Sequence, residues 1–491
     1  MKNPYYITTA IDYVNGKPHI GHALEKVLVD ALARYHRARG EDVFLLMGAD
    51  EHGTKIARAA EAAGKSPQAF ADEMSREFRG LKDALNLSWD AFIRTTDRDL
   101  HWPGVLKMWQ ALSASGDIYK KSYRGLYCVG HEAFVTEKDL VDGICADHKK
   151  PPETIEEENY FFRLSKYTSA IREKIESGEF RIFPESRRNE ILSLLEQGLS
   201  DVSFSRPRES LSWGVPVPGD ESQTMYVWAD ALTNYISAIG YGREGDPQAK
   251  ASFEKWWPAE AQMIGKDILR FHAAIWPAML LSAGLPLPKR LLVHGFITVE
   301  GEKMSKTVGN VIDPAELVRQ YGADPVRYYL LREIPSGEDG DWSDRKFRAL
   351  YNGDLANGIG NFASRVLALA AREGELRPIL SDPALKRAKE EAGAKVWRKV
   401  EEFKFHEALA AIWEFIAAGD EYVNRMEAWK IESPEKRQEV LGNLVAALEA
   451  AGRLLLPFLP ATAEKILKNI IPLEGGMVRA EKGDPLFPRI V

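Results

Sequence analysis

Residues 4–11, PYYITTAI, are crowded with β-branched and aromatic side chains, a composition that predicts a strand. The apolar positions then change period. Leu24, Val27, Leu28, Leu32 and Tyr35 recur at helical spacing as far as Gly40, a residue suited to ending a helix. DVFLLMG (42–48) is a continuous apolar run of the kind buried on both faces, and Asp50–Glu51–His52–Gly53 bound it. A helix over 67–85, a short strand near 91–95 and a helix over 98–114 continue the alternation. Strand and helix alternating in this way predict an α/β fold with a doubly wound, Rossmann-type parallel sheet.

Between 117 and 224 the pattern breaks: turns are frequent, and PRESLSWGVPVPGD (207–220) cannot be a regular helix. This stretch reads as an insertion. The α/β pattern returns with TMYVWADALTNYI (224–236), AQMIGKD (261–267), a helix over 268–283 and a strand over RLLVHGFIT (290–298). From about 350 onward the chain reads as amphipathic helix almost throughout, which predicts an all-α bundle.

Composition narrows the function classes. At 491 residues, the usual domain size of roughly 150 residues suggests about three domains. A 45 % hydrophobic share supports real cores. No apolar run is long enough to span a bilayer, and MKNPYYITTAIDY lacks the features of an export signal, so a cytosolic location is expected. Two cysteines exclude a disulfide framework. The net charge of −7 does not rule out nucleic acid, because a local basic groove can exist on an acidic protein.

Histidine placement points to chemistry. His19, His22, His52, His272 and His294 fall at predicted strand or helix edges, and His131 and His148 each follow a cysteine by three. His19-Ile20-Gly21-His22 opens a helix whose unpaired N–H groups and dipole favour an anion. Both histidines lie on one face of the first turn, and Gly21 lets a phosphate or flat ring approach the backbone. The competing reading is a helix cap, with His19 capping and His22 half-buried. A second motif, GEKMSKTVGN (301–310), places Lys303 and Lys306 on a glycine-flanked polar loop, where two lysines can hold a polyphosphate.

In this order and around an α/β domain, HIGH and KMSK resemble the class I aminoacyl-tRNA synthetases. TTAIDYVNGKPHIGHAL, GADEHGTKI, MYVWADALTNYI, IGKDILRFHAAIWPAML and HGFITVEGEKMSK are similar to the methionyl-tRNA synthetase family, short bacterial type. The resemblance implies ATP-dependent ligation of L-methionine to tRNA(Met) through a methionyl-adenylate, with Mg²⁺. It divides the chain into a catalytic domain in two halves (1–116 and 225–298), a connective insertion (117–224), a KMSK loop and stem-contact region (299–349) and a helical anticodon-binding domain (350–491).

Residue roles follow from the same resemblance. His19, Gly21, His22, Lys303 and Lys306 would hold the ATP phosphates, Gly265 and Asp267 the ribose, and the HGFIT backbone would face the adenine. Asp50 would pair with the substrate ammonium. Ala10, Ile11, Tyr13, Trp228, Ala231, Leu232, Tyr235, Ile268 and His272 match the methionine-binding positions, with Tyr13 or His272 as the polar contact near sulfur. By spacing alone, Trp228 and Tyr235 would be called core. Ala10 and Asp12 stand where short bacterial members often carry Pro and Tyr. Asn361, Arg365 and Trp429 match anticodon-reading positions, a sensible set because unpaired bases are stacked and read at their edges. Ala428 replaces the proline that often precedes that tryptophan.

Cys128, His131, Cys145 and His148 form two Cys-x₂-His pairs, a spacing that suits a structural Cys₂His₂ zinc knuckle. The alternative is two structural thiols with nearby surface histidines; family members more often carry four cysteines, or three and a histidine. Two other functions compete with this one. A synthetase for another apolar amino acid usually has an editing insertion larger than 117–224 can hold. A non-catalytic tRNA-binding module would have no need of His19, His22, Lys303, Lys306 and Asp50. No appended barrel follows the helices, so a monomer is expected.

Overall fold

The computed structural model describes residues 3–129, 133–135, 140–145, 149–304 and 309–490. The chain forms two compact units. The first gathers residues 1–18, 41–80 and 89–294, and the second residues 19–40, 81–88 and 295–491.

The first unit is built on a seven-stranded sheet of β1 (Pro4–Thr9), β2 (Asp12–Tyr13), β3 (Asp42–Asp50), β4 (Ala91–Arg94), β5 (Arg181–Phe183), β6 (Ala261–Gly265) and β7 (Arg290–His294). The order is β5-β7-β6-β1-β3, with β2 and β4 both pairing with β3, and every pairing is parallel. Chain order reverses at β1, which lies between β3 and β6. In such sheets the crevice beyond the carboxyl ends of the strands at the switch point is where ligands bind. Ala10 and Ile11 follow β1 there.

One sheet strand, β5, comes from inside the stretch read as an insertion, because the helices Thr168–Glu176 and Glu185–Glu196 flank an edge strand paired with β7. The rest of that stretch is antiparallel. Ile118–Cys128 pairs along its length with Glu153–Phe162, and Ser205–Pro207, Pro216–Val217 and Asp220–Met225 make a separate three-stranded sheet. The apolar run in the sequence 268–283 divides into a π-helical turn, Phe271–Ile275, and the α-helix Trp276–Ser282. The predicted helix 98–114 starts only at Trp102, and the predicted strand 4–11 ends at Thr9.

RLLVHGFIT is not one strand. It breaks at Gly295–Phe296 into β7 and Ile297–Val299, which joins a different sheet. A Cβ on Gly295 would lie 2.0 Å from the Glu338 carbonyl oxygen, so only glycine admits this crossing.

In the second unit, helix α1 (Ile20–Ala38) is followed in sequence by Gly40 at φ 85°, the left-handed residue its sequence foretold. Ile297–Val299 pairs with Glu302–Lys303 and Gly340–Trp342. The C-terminal region holds the helices Asn361–Ala370, Pro383–Glu401, Phe405–Met426, Pro434–Leu455 and Pro460–Lys468. It is not wholly helical: Glu375–Leu376, Ile470–Pro472 and Val478–Ala480 form a small sheet. Each of those strands has two or three residues, too few to show a period in the sequence.

Candidate functional site

The switch-point end of the first unit carries a cluster of aromatic and apolar side chains. Ala10, Leu232 and Tyr235 lie in its buried core, and Ile11, Tyr13, Trp228 and Ile268 pack against that core. Ala231 is buried, and so are His272 and Asp50. The structure therefore brings the nine positions predicted for the amino-acid side chain into one unit, with Asp50 at the end of β3 in register with Tyr13 of β2.

Hydrogen bonds fix the polar members. His272 Nδ1 lies 3.0 Å from the Ile268 carbonyl, which can only accept, so the proton sits on Nδ1. Nε2 is then an acceptor, and Tyr235 Oη donates to it at 2.7 Å. Tyr6 Oη in turn donates to the Tyr235 carbonyl at 2.7 Å, and burial pushes the Tyr6 hydroxyl pKa well up. The π-helical turn carries Phe271 and His272 in succession. Trp228 stacks flat on Phe271, with centroids 3.8 Å apart and planes at 11°, and meets His272 edge-on at 6.4 Å. Phe271 is a member that sequence reasoning missed; its position next to His272 was the available signal.

The turn after Asp50 is held by a buried network also missed at the sequence level. Glu51 is fully buried and accepts from Arg94 Nε at 2.6 Å, and from the Ser75 and Thr96 hydroxyls. Its backbone N–H donates to Thr95 Oγ1 at 2.9 Å, and its carbonyl accepts from Trp213 Nε1 at 2.5 Å. Gly53 then takes φ 105°, a conformation that excludes side chains, and donates its N–H to the Trp213 carbonyl. His52 and His101 both bond the buried carboxylate of Asp230. Nothing in the periodicity couples residues so far apart in sequence. Gly265 ends β6, and a Cβ there would lie 2.7 Å from Asp267 Oδ1 and 3.7 Å from His294 Cε1.

In the second unit, the cap reading of the HIGH motif is observed directly. His19 is the N-cap of α1: its Nδ1 accepts from Gly21 N at 3.1 Å, while His22 Nδ1 accepts from His19 N at 3.0 Å. The two rings lie 3.8 Å apart. A capping box made of two histidines has a chemical consequence. With both Nδ1 atoms accepting, each neutral ring carries its proton on Nε2, as a donor. A Cβ on Gly21 would come within 3.0 Å of the His19 ring. The helix start is tied to the segments that flank the second motif: Ile20 N donates to the Ile312 carbonyl at 3.0 Å, and Gly21 abuts Ile297. Lys303 is exposed on its short strand opposite Thr298, and Asn310 Nδ2 donates to its carbonyl at 3.2 Å, closing the base of the loop. Lys306 lies outside the described residues.

Also in the second unit, Asn361 and Arg365 stand one turn apart on one helix. Arg365 is ion-paired with Asp420 at 2.8 Å and donates to Asn424 Oδ1 at 2.6 Å, and Asn424 is five residues before Trp429. Trp429 is 51 % exposed, unusual for so large an apolar ring.

The candidate metal site lies at the hairpin of the first unit. Cys128 and Cys145 are both buried in one small cluster with Val135, and neither is in a disulfide. Two buried thiols brought together fit half of a zinc set. His131 and His148 lie outside the described residues. No described helix is long and apolar enough to cross a membrane.

The chain matches two known families, "tRNA synthetases class I (M)" over residues 5–150 and 135–367, and "Anticodon-binding domain of tRNA ligase" over 387–483. It is 43 % identical to the methionine–tRNA ligase of Brucella suis, covering 100 % of this chain and 98 % of that protein. It is also 43 % identical to that of Thermotoga maritima, over 95 % of this chain and 75 % of that protein. Among solved structures, Mycobacterium tuberculosis methionyl-tRNA synthetase in complex with methionyl-adenylate superposes with a TM-score of 0.92 at 40 % identity, each chain covered in full.

Proposed function

The chain belongs to the methionyl-tRNA synthetases of class I, and from that premise we propose how its own residues divide the family's work. The reaction is ATP-dependent ligation of L-methionine to tRNA through a methionyl-adenylate. First, a methionine carboxylate oxygen attacks the α-phosphorus of ATP, and the bond to pyrophosphate breaks as the new P–O bond forms. Then a terminal ribose hydroxyl of the tRNA attacks the adenylate carbonyl carbon, gives up its proton, and AMP leaves. Neither step needs a covalent enzyme intermediate, so positioning and charge stabilisation carry the rate.

The observation that carries this reading is the cluster around Tyr235 and His272 with the buried Asp50 carboxylate at its edge. Asp50 takes the substrate ammonium. Ala10, Ile11, Tyr13, Trp228, Ala231, Leu232, Tyr235, Ile268 and His272 surround the side chain, and aromatic faces suit a polarizable thioether. Both His272 nitrogens are already engaged by Ile268 and Tyr235, which favours Tyr13 as the polar contact near sulfur. His19 and His22 donate from Nε2 to phosphate oxygens at the N-terminus of α1, where the helix dipole adds to the attraction. Gly21 lets the nucleotide come close, and Lys303 with Lys306 holds the outer phosphates. Gly265 and Asp267 take the ribose. Mg²⁺, when bound, offsets phosphate charge. Asn361, Arg365 and Trp429 read the anticodon of tRNA(Met), the exposed Trp429 ring by stacking.

Cys128 and Cys145, with His131 and His148, would hold zinc, which would fix the hairpin without taking part in the reaction. A cytosolic location and a monomeric state complete the proposal. Titration calorimetry tests the pocket: L-methionine binds, while N-acetyl-methionine, whose nitrogen carries no charge for Asp50, does not. Equal binding of the two would remove Asp50 from its role.

A further inference from the structure

Asp230 has no part in the reaction as described, yet it is among the most completely enclosed carboxylates in the first unit, 1 % exposed. It lies on the short helix Val227–Ala231, which also carries Trp228 and Ala231. Its Oδ2 is 2.6 Å from His52 Nδ1, and its Oδ1 is 2.8 Å from His101 Nε2. His52 is 2 % exposed and His101 fully buried. His101 is held from its other side by Ser237 Oγ, 2.8 Å from Nδ1. One carboxylate thus joins three segments: the turn after β3, the N-cap of helix Trp102–Ala114, and the helix that carries the Trp228 wall.

The geometry gives this junction a direction. Residues two apart on a helix point about 200° apart around its axis. Trp228 stacks on Phe271 from one face of the helix, and Asp230 is gripped by the histidines on the opposite face. On the far side of the junction, His52 is two residues from Asp50. The link runs from the group that takes the ammonium, through His52 and Asp230, to the wall that surrounds the side chain. Charge-assisted hydrogen bonds at this depth are short and strong, so they hold spacing tightly.

We infer that Asp230 is a positioning residue for methionine, setting the separation between Asp50 and the Trp228–Ala231 wall through its two histidine bonds. This rests on the pocket assignment made above. ATP has no share in that spacing, so the effect of losing it falls on one substrate. A merely structural carboxylate would weaken both substrates, or the whole fold.

The test is ATP–pyrophosphate exchange by the full chain with each substrate varied in turn. Asp230→Asn keeps the volume but cannot accept from both histidines with a carboxylate; it raises the methionine KM about tenfold and leaves the ATP KM within about twofold. Equal rises for both substrates, or no rise for methionine, overturn the proposal. Ser237→Ala is the milder variant, removing only the hydroxyl that steadies His101, and raises the methionine KM about threefold. If Asp230→Asn does not fold, this second variant decides, and an unchanged methionine KM overturns the proposal. Asp50→Asn separates the two readings. If it leaves methionine KM unchanged, the pocket assignment fails and the proposal with it; if it raises KM while Asp230→Asn does not, the positioning role alone is wrong.

Discussion

At the scale of single residues, environment decides what each polar group does. Burial pushes the Asp230 carboxyl up, but His52 and His101 more than offset it and hold the pKa at about 2, against an ordinary 3.8. A carboxyl depressed in the folded state stabilises the protein fully above its unfolded pKa and ceases to do so as pH falls through the folded value. Asp230 therefore contributes on the order of 2 kcal/mol above about pH 4, lost on approaching pH 2. Urea unfolding measured across that window should show a shallower decline for Asp230→Asn than for the native chain; parallel declines would contradict the assignment. The same dependence on environment explains what the sequence could and could not reveal. His19 and His22 were legible because a helix start is a local pattern, and the structure adds only which nitrogen carries each proton. Asp230 was illegible because its partners lie 129 and 178 residues away, and no periodicity reports such a pairing.

At the scale of elements, α1 is anchored along its length as well as capped. Asp30 is fully buried on it, ion-paired at 2.8 Å with the equally buried Arg327 and bonded to Arg34 and to Ser88. Burial raises the Asp30 pKa, but Arg327 and Arg34, with Ser88, outweigh this and hold it below the ordinary range. Arg327 also donates to the carbonyls of Leu85, Pro457 and Phe458. This one guanidinium satisfies three carbonyls at segment ends and links α1 to the C-terminal helices within the second unit. Arg327→Met should lower the unfolding free energy by about 3–5 kcal/mol, because it strands a buried charge and several acceptors. Denaturant midpoints measure this, and a change under about 1 kcal/mol would mean that the pair is not buried as described. Elements with strong periods, such as α1 and β3, were predicted to within a residue or two. The two strands made from RLLVHGFIT were not, because the break at Gly295 depends on the Glu338 carbonyl passing against it.

At the scale of the whole molecule, the doubly wound sheet and the helical C-terminal region followed from alternation and period alone. The interleaving of chain segments between the two units did not, since residues 19–40 and 81–88 leave the first unit to join the second. That division follows contacts between distant segments, which no local pattern encodes. Assigning methionine likewise needed several motifs in register, because Trp228 and Tyr235 by spacing alone are ordinary core aromatics. The central claim is that this chain activates methionine. ATP–pyrophosphate exchange with each of the twenty amino acids tests it directly. Exchange should depend on L-methionine and fail to develop with leucine, isoleucine or valine at equal concentration. No exchange with methionine at saturating ATP and Mg²⁺, or faster exchange with another amino acid, would contradict it.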